Sequence, residues 1–281
     1  MTQPLVLMLG HGYSAAALAA RLGGTRVLGT TRSAERAAAM RAAGVEPVDW
    51  ADAGAVDRAI AAASAILVSV PPDAEGDPVL RRHGAALVAA RPGWVGYLST
   101  TGVYGDRSGG WVDETDALTP AGERARRRVA AEAAWSATGL PVQAFRLAGI
   151  YGPGRSVLDK LRDGTAQRVV RAGQVFSRIH VDDVAATLAA SMTRPAPGQA
   201  YNVADDEPAP PADVVAFGAR LLGLPVPPEV PFEAADLSPM ARSFWAESKR
   251  VSNRRIREDL GVALAFPDYR AGLRAIAAAG G

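Results

Sequence analysis

A chain of 281 residues, 48% hydrophobic and 21% charged, can bury a full core and suits one large globular domain or a domain with a lobe. Its 31 Lys and Arg nearly balance 29 Asp and Glu, and its one dense basic run, Arg124 with Arg126, Arg127 and Arg128, carries no interleaved aromatics, so nucleic-acid binding is not expected. The absence of cysteine excludes disulfides, thiolate nucleophiles and zinc–thiolate sites, and leaves His11, His83 and His180 as the imidazoles.

In chain order, Leu5 to Leu9 is continuously apolar, as in a strand buried on both faces, and runs into the turn Gly10-His11-Gly12-Tyr13-Ser14-Ala15. A helix to about Leu22 follows, then a strand over Arg26–Thr30, a helix over Ala34–Ala43, a strand over Val45–Val48 and a helix over Gly54–Ala62. The alternation continues with an apolar run from Ala65 to Val70 ended by Pro71-Pro72, a helix from Pro78 to Ala90 and a strand from Trp94 to Leu98. Past a loop around Ser108-Gly109-Gly110 come an Ala/Arg-rich helix from about Ala121 to Ala137 and a strand from Val142 to Leu147. Right-handed crossovers make this an α/β fold, a doubly wound parallel Rossmann sheet with helices on both faces. Beyond that point Pro-rich stretches separate short elements, which predicts a smaller C-terminal substrate lobe. The expected division is 1–153 for nucleotide binding, with the sheet completed by segments around 174–204, and 154–281 mainly for the lobe. The opening Met1-Thr2-Gln3-Pro4 lacks a basic leader, and the Gly turn interrupts the apolar run well short of a span of about 18 residues, so no membrane association and a cytoplasmic location are expected.

A dinucleotide needs a tight strand-to-helix turn, close backbone approach to its pyrophosphate and helix N-terminal N–H groups aimed at the charge. Gly10, Gly12 and Ala15 supply the spacing, with Tyr13 and Ser14 between them. An acidic residue after the second strand would hold the ribose 2′-OH of NAD. Here the turn reads Thr30-Thr31-Arg32-Ser33, and Thr31 with Arg32 suits a 2′-phosphate, hence NADP(H) rather than NAD(H). Asp49 and Trp50 are candidates to border the adenine or to form an ordinary loop, and Ser69, Val70 and Pro71 are expected along the cofactor's path.

These motifs, with Tyr97-Leu98-Ser99-Thr100-Thr101-Gly102-Val103-Tyr104-Gly105, Arg146-Leu147-Ala148-Gly149-Ile150-Tyr151-Gly152-Pro153-Gly154 and Ile179-His180-Val181-Asp182-Asp183-Val184-Ala185, resemble the short-chain dehydrogenase/reductase superfamily in its extended NAD(P)-dependent epimerase/dehydratase form. The resemblance covers nearly the whole chain. It implies that Thr100 hydrogen-bonds the reacting oxygen, with Thr101 and Ser99, the latter also expected against the cofactor, flanking it, and that Tyr201 to Ala204 is a strand of the substrate lobe. It also implies a Tyr followed four residues later by Lys, and no tyrosine here has that partner. Counting back from Ala131-Glu132, the two positions hold Arg124 and Arg128. Arg128 could hold ribose hydroxyls, whereas a guanidinium at 124 stays charged and cannot act as acid or base near neutral pH. The pattern resembles the atypical members that lack the pair.

Tyr104 is then a candidate replacement acid, or else a buried structural tyrosine, and Arg124 and Arg128 are candidate clamps for an anionic substrate or the cofactor. His180 with Asp182 and Asp183 reads as a strand-to-helix junction capped by an Asp. Asp113 and Glu114 read as solvated loop acids, and no metal site is assigned. The segment Ser248 to Gly261 reads as a surface helix of the lobe and a possible homodimer contact. Two functions stay open: an NADP(H)-dependent oxidoreductase or epimerase-like enzyme acting on a small molecule with a nonstandard acid/base, and an inactive NADP(H)-binding sensor. A polar pocket facing the nicotinamide separates them, because a sensor does not require one.

Overall fold

Five consecutive apolar residues set the architecture. In the computed structural model, which describes residues 4–280, Leu5–Leu9 forms strand β1 with every side chain buried, while the reading of Met1 to Gln3 lies outside the described residues. Side chains alternate across a strand. Leu5, Leu7 and Leu9 therefore enter one core and Val6 and Met8 another on the opposite face.

Strands β2 (Arg26–Thr31), β3 (Glu46–Asp49), β4 (Ala65–Val68), β5 (Trp94–Thr100), β6 (Val142–Leu147) and β7 (Ala200–Val203) complete a seven-stranded sheet in the spatial order β7-β6-β5-β4-β1-β2-β3. All its pairings are parallel. The chain builds outward from β1 to β3, then returns to start β4 on the other side of β1. The strand order reverses there, and a crevice opens beyond the carboxyl ends of β1 and β4. A parallel Rossmann sheet was expected, and Tyr201 to Ala204, read through the resemblance as a strand of the substrate lobe, supplies one of its strands. That segment is not in the lobe: Tyr201 pairs with Phe145 of β6 in register, and their rings stack 5.8 Å apart.

Helices α1 (Tyr13–Arg21), α2 (Ala34–Ala42), α3 (Ala53–Ala62), α4 (Pro78–Ala90), α5 (Glu123–Ser136), α6 (Val157–Arg162) and α7 (Val181–Thr193) follow in chain order. α1, α2 and α7 cover the face holding Val6 and Met8. α3, α4 and α5 cover the other, through Val56, Ile60, Val79, Leu87 and Trp135. Local chemistry fixes the helix starts: Ser33, Asp52 and Asp77 each accept backbone N–H bonds at an N-cap, and Pro78 follows Asp77 at the first helical turn. A third core joins α6 to α8 (Pro211–Leu221) and, past α9 (Pro239–Phe244) and α10 (Arg254–Glu258), to α11 (Tyr269–Ala278). No helix among the described residues is long and apolar enough to cross a membrane.

The segment from Ser248 to Gly261 departs from expectation. Its polar spelling suggests a surface helix, yet Ser248 and Lys249 are buried, Arg250–Val251 pairs in parallel with Trp111–Val112, and only Arg254–Glu258 is helical. Val251, Ile256 and Leu260 spend their apolar surface inside the chain, joining the core under α7.

Candidate active site

The first turn sits at the strand-order reversal. Gly10 has φ +89°, and a Cβ there would lie 2.8 Å from Ser69 Oγ. Glycine is needed on both counts. Its N–H donates to Thr30 Oγ1 at 2.7 Å, and its carbonyl accepts from Ser69 Oγ at 2.5 Å, so the ends of β1, β2 and β4 are tied together. Gly12 is the N-cap of α1 and supplies no side-chain acceptor, α1 has no acid in its first turn, and a Cβ on Gly12 would meet nothing within 4 Å. The N–H groups of Tyr13, Ser14 and Ala15 thus begin a helix with open space before them and no capping side chain. That is the geometry a pyrophosphate requires. Ala15 is fully buried where α1 meets the sheet, and Ser14 nearly so. Tyr13 reaches away to donate to Pro153 O at 3.0 Å, with the Arg155 guanidinium over its ring.

Around this turn, Thr31 Oγ1 accepts from Ser33 N at 3.2 Å, and Arg32 is exposed with its guanidinium paired to no carboxylate among the described residues. His11, held by its N–H to Thr30 O, is pushed toward the neutral form by burial. Asp49 Oδ1 is occupied by Ala51 N–H at 2.9 Å. Trp50 is packed down by α4, edge-on to His83 and under the Arg82 guanidinium at 4.8 Å. Ser69 and Val70 close against Gly10, and Pro71 is exposed beyond them.

The end of β5 divides the other candidates by face. Thr100 lines a cavity of about 460 Å³ together with Thr101, Leu147, Arg178, Trp245 and Lys249. Its Oγ1 accepts from Gly102 N at 3.1 Å, which leaves the hydroxyl proton free to donate. Ser99, one residue earlier, is buried on the opposite face and donates to Glu132 Oε1, so its side chain belongs to the packing under α5 rather than to the cavity. Glu132 pairs with Arg146 at 2.9 Å, Arg146 Nη1 donates to the Tyr104 hydroxyl at 2.9 Å, and that hydroxyl donates to Asn202 Oδ1 at 2.7 Å.

Tyr104 is therefore corrected as a candidate acid. It is fully buried, its hydroxyl is committed on both sides, and burial raises its pKa. Arg128 spends one nitrogen on Leu98 O at 2.5 Å and Tyr97 OH at 3.0 Å, Arg124 is exposed, and neither lines the Thr100 cavity. Glu114 is likewise not a solvated loop acid. Its Oε1 accepts from Asn202 N at 2.7 Å, and burial raises its pKa. At the α7 junction the cap is His180, whose Nδ1 accepts from Asp182 N, while Asp183 instead accepts from Ala265 N and Phe266 N.

Sequence reasoning missed the far wall of the Thr100 cavity. Lys249 Nζ donates to Glu247 Oε2 at 2.5 Å, with both side chains mostly buried, and Val175, Phe176, Phe244 and Trp245 supply apolar surface beside them. A larger cleft of about 800 Å³ shares Tyr151, Arg155, Arg178, Ala241 and Trp245 with this cavity and extends between α6 and α8. Arg178 donates to the carbonyls of Phe176 and Ala209 through Nη1. The spelling Glu-Ser-Lys-Arg in a basic stretch gives no sign of burial, which arises from tertiary anchors: Ser248 Oγ donates to Gly173 O, and Ser248 N to Asp106 Oδ1.

No family profile matches the chain. A functionally unknown conserved protein from Silicibacter pomeroyi is 51% identical over 99% of both chains, with a TM-score of 0.93. A putative NAD-dependent epimerase/dehydratase from Methylobacillus flagellatus is 27% identical, again over 99% of both chains, with a TM-score of 0.77. The structural neighbours of the chain are thus NAD-dependent epimerase/dehydratase-like and short-chain dehydrogenase/reductase-like proteins. A 3-diazoavenalumate denitrifying reductase from Streptomyces is 33% identical over 143 residues, a match spanning 46% of this chain and 45% of that protein. Arg124 and Arg128 stand where the resemblance to such proteins places a Tyr–Lys pair.

Proposed function

We propose that the protein is an NADP(H)-dependent oxidoreductase or epimerase-like enzyme acting on a small anionic molecule. The observation that carries the reading is the cavity at the end of β5, where a free Thr100 hydroxyl faces a mixed polar and apolar wall contributed by the C-terminal residues. A nucleotide sensor has no need of such a chamber. When bound, a nicotinamide cofactor supplies or accepts hydride.

The chain's own residues then divide the work. The uncapped start of α1 at Gly12 holds the pyrophosphate, and Thr31 with the unpaired Arg32 holds a 2′-phosphate through charge-assisted hydrogen bonds. Residues up to about 153 form the nucleotide half, and later segments close the substrate cleft. Thr100 donates to the substrate oxygen that gains negative charge in the transition state. Arg155, Arg178 and Lys249 outnumber the single carboxylate Glu247 around the cavity, which favours a substrate bearing a carboxylate or phosphate. The cavity wall includes no thiol and no imidazole among the described residues.

Calorimetric titration of NADPH and NADH into the wild type and Arg32→Ala, at fixed ionic strength, tests the cofactor assignment. NADPH is expected to bind at least about tenfold tighter, a gap near 1.4 kcal/mol, and Arg32→Ala to remove it. If neither nucleotide binds, the oxidoreductase reading falls.

A further inference from the structure

The Thr100 cavity needs a proton source, and the superfamily's usual tyrosine is absent. Around it, Arg155 and Arg178 are guanidiniums that stay charged in proteins and cannot release a proton. Tyr104 and Ser99 are spent in the network behind the sheet, and Tyr151, which lines the cavity, donates its hydroxyl to Asp268 O at 3.4 Å while burial raises its pKa. Thr100 can donate a hydrogen bond, but its hydroxyl does not ionise near neutral pH. Lys249 differs from all of these. It is one of only two lysines in the chain, the other being Lys160 in the outer cleft, and it lines the cavity together with Phe176 and Trp245. Glu247 takes one of its three N–H donors at 2.5 Å. A mostly buried ion pair is a poor way to gain stability, since desolvation offsets the attraction. One that faces a cavity rather than packed protein has another use for its cost.

We propose that Lys249, oriented by Glu247, is the proton donor and acceptor of this enzyme, working across the cavity from Thr100. The inference rests on the oxidoreductase reading above. In the reductive direction, with a reduced nicotinamide as the hydride source, hydride adds to a carbonyl carbon and the C=O π pair moves onto oxygen. The Nζ–H bond of Lys249 breaks to deliver its proton to that oxygen, giving the alcohol. Neutral Lys249 then recovers a proton from water entering by the outer cleft, so one hydride and one proton are consumed per carbonyl reduced. Thr100 keeps its own proton throughout and only donates a hydrogen bond. Glu247 is a positioning residue: it accepts a hydrogen bond from the amine and so fixes where it sits.

4-Nitrophenol, whose anion absorbs in the visible, probes the oxyanion position without turnover. Bound in the wild-type cavity, it is expected to ionise at a pH at least one unit below that of the free phenol, a tenfold shift in its ionisation constant. Lys249→Met, verified as folded by its thermal transition, abolishes that shift, Lys249→Arg retains it, and Glu247→Gln enlarges it by leaving the cation uncompensated. A shift that survives Lys249→Met, an unchanged shift in Glu247→Gln, or failure of the phenol to bind overturns the assignment. Should Lys249→Met not fold, the Glu247→Gln and Lys249→Arg spectra decide. A Lys249-dependent shift in a protein that binds neither NADPH nor NADH would keep the proton site and discard the hydride reading. Tight NADPH binding without the shift does the reverse.

Discussion

The Tyr104 hydroxyl donates to Asn202 Oδ1 at 2.7 Å, joining the turn after β5 to the edge strand β7 across 98 positions of sequence. Arg146 Nη1 donates to the same oxygen, so the hydroxyl is both donor and acceptor. Tyr104→Phe keeps the ring and strands two buried polar groups. Losing such a bond costs about 1–3 kcal/mol. We expect urea unfolding to show a loss of that size, while NADPH affinity changes less than about threefold, or 0.6 kcal/mol. A folded Tyr104→Phe protein with turnover lowered a hundredfold would return Tyr104 to the list of acids.

The same network contains Arg146 and Glu132, paired at 2.9 Å with side chains only 8% and 10% exposed. Removing one member leaves a charge buried without its partner, which costs about 3–5 kcal/mol, whereas replacing both with apolar groups is far less damaging. Arg146→Met should therefore destabilise more than the double variant Arg146→Met/Glu132→Leu. Denaturant midpoints of the two single variants and the double variant check this. A double variant worse than either single one would mean that the network holds the fold by more than charge compensation.

Gly10 and Gly12 lie two residues apart and should fail differently. Alanine at Gly10 faces a positive φ and a Cβ 2.8 Å from Ser69 Oγ, so Gly10→Ala is expected to lower stability by about 1–3 kcal/mol. Alanine at Gly12 meets open space, so Gly12→Ala should stay within about 1 kcal/mol of the wild type, the difference between Gly and Ala at an N-cap. Its methyl group nonetheless enters the volume assigned to the pyrophosphate, and NADPH affinity should fall at least tenfold, about 1.4 kcal/mol. Thermal melts and calorimetry on both variants separate the two effects. Equal loss of affinity and stability at both positions would remove the distinction.

The difference between what these motifs disclose and what they conceal follows from where the information lies. β1 was legible because five apolar residues running into a Gly turn leave few alternatives, and strand geometry then sends Leu5, Leu7 and Leu9 to one core and Val6 and Met8 to the other. The turn at Gly10 was legible because local backbone geometry selects glycine. Thr100 was distinguishable from Ser99 only through the resemblance, since adjacent hydroxyls look alike until the strand's two faces are known. Lys249 was invisible because its burial depends on Gly173 and Asp106, which are 76 and 143 positions away and carry no pattern linking them to Ser248 or Lys249. Tyr104 misled for the same reason: its partners Arg146 and Asn202 arrive from β6 and β7. Contacts made by local rules could be read, and those made by distant strands could not.

Asp205, which follows β7, gives the fold a pH signature. Burial pushes its carboxyl up to about 8, against smaller opposing pulls from the Arg178 guanidinium and from the backbone of Glu207 and Arg178. Below the ordinary carboxylate range near 4, both folded and unfolded chains hold this proton and stability does not depend on it. As pH rises from there, the unfolded chain releases the proton while the folded one keeps it, so stability declines until about pH 8, where the folded carboxyl also ionises. Asp205→Asn cannot ionise and should remove this part of the decline, so that its advantage over the wild type grows between pH 5 and pH 8, a window set by the raised pKa. Urea midpoints across that range measure the difference. Parallel profiles for the two proteins would mean that Arg178 keeps Asp205 ionised throughout, and that the pair functions as a buried salt bridge beside the substrate cleft.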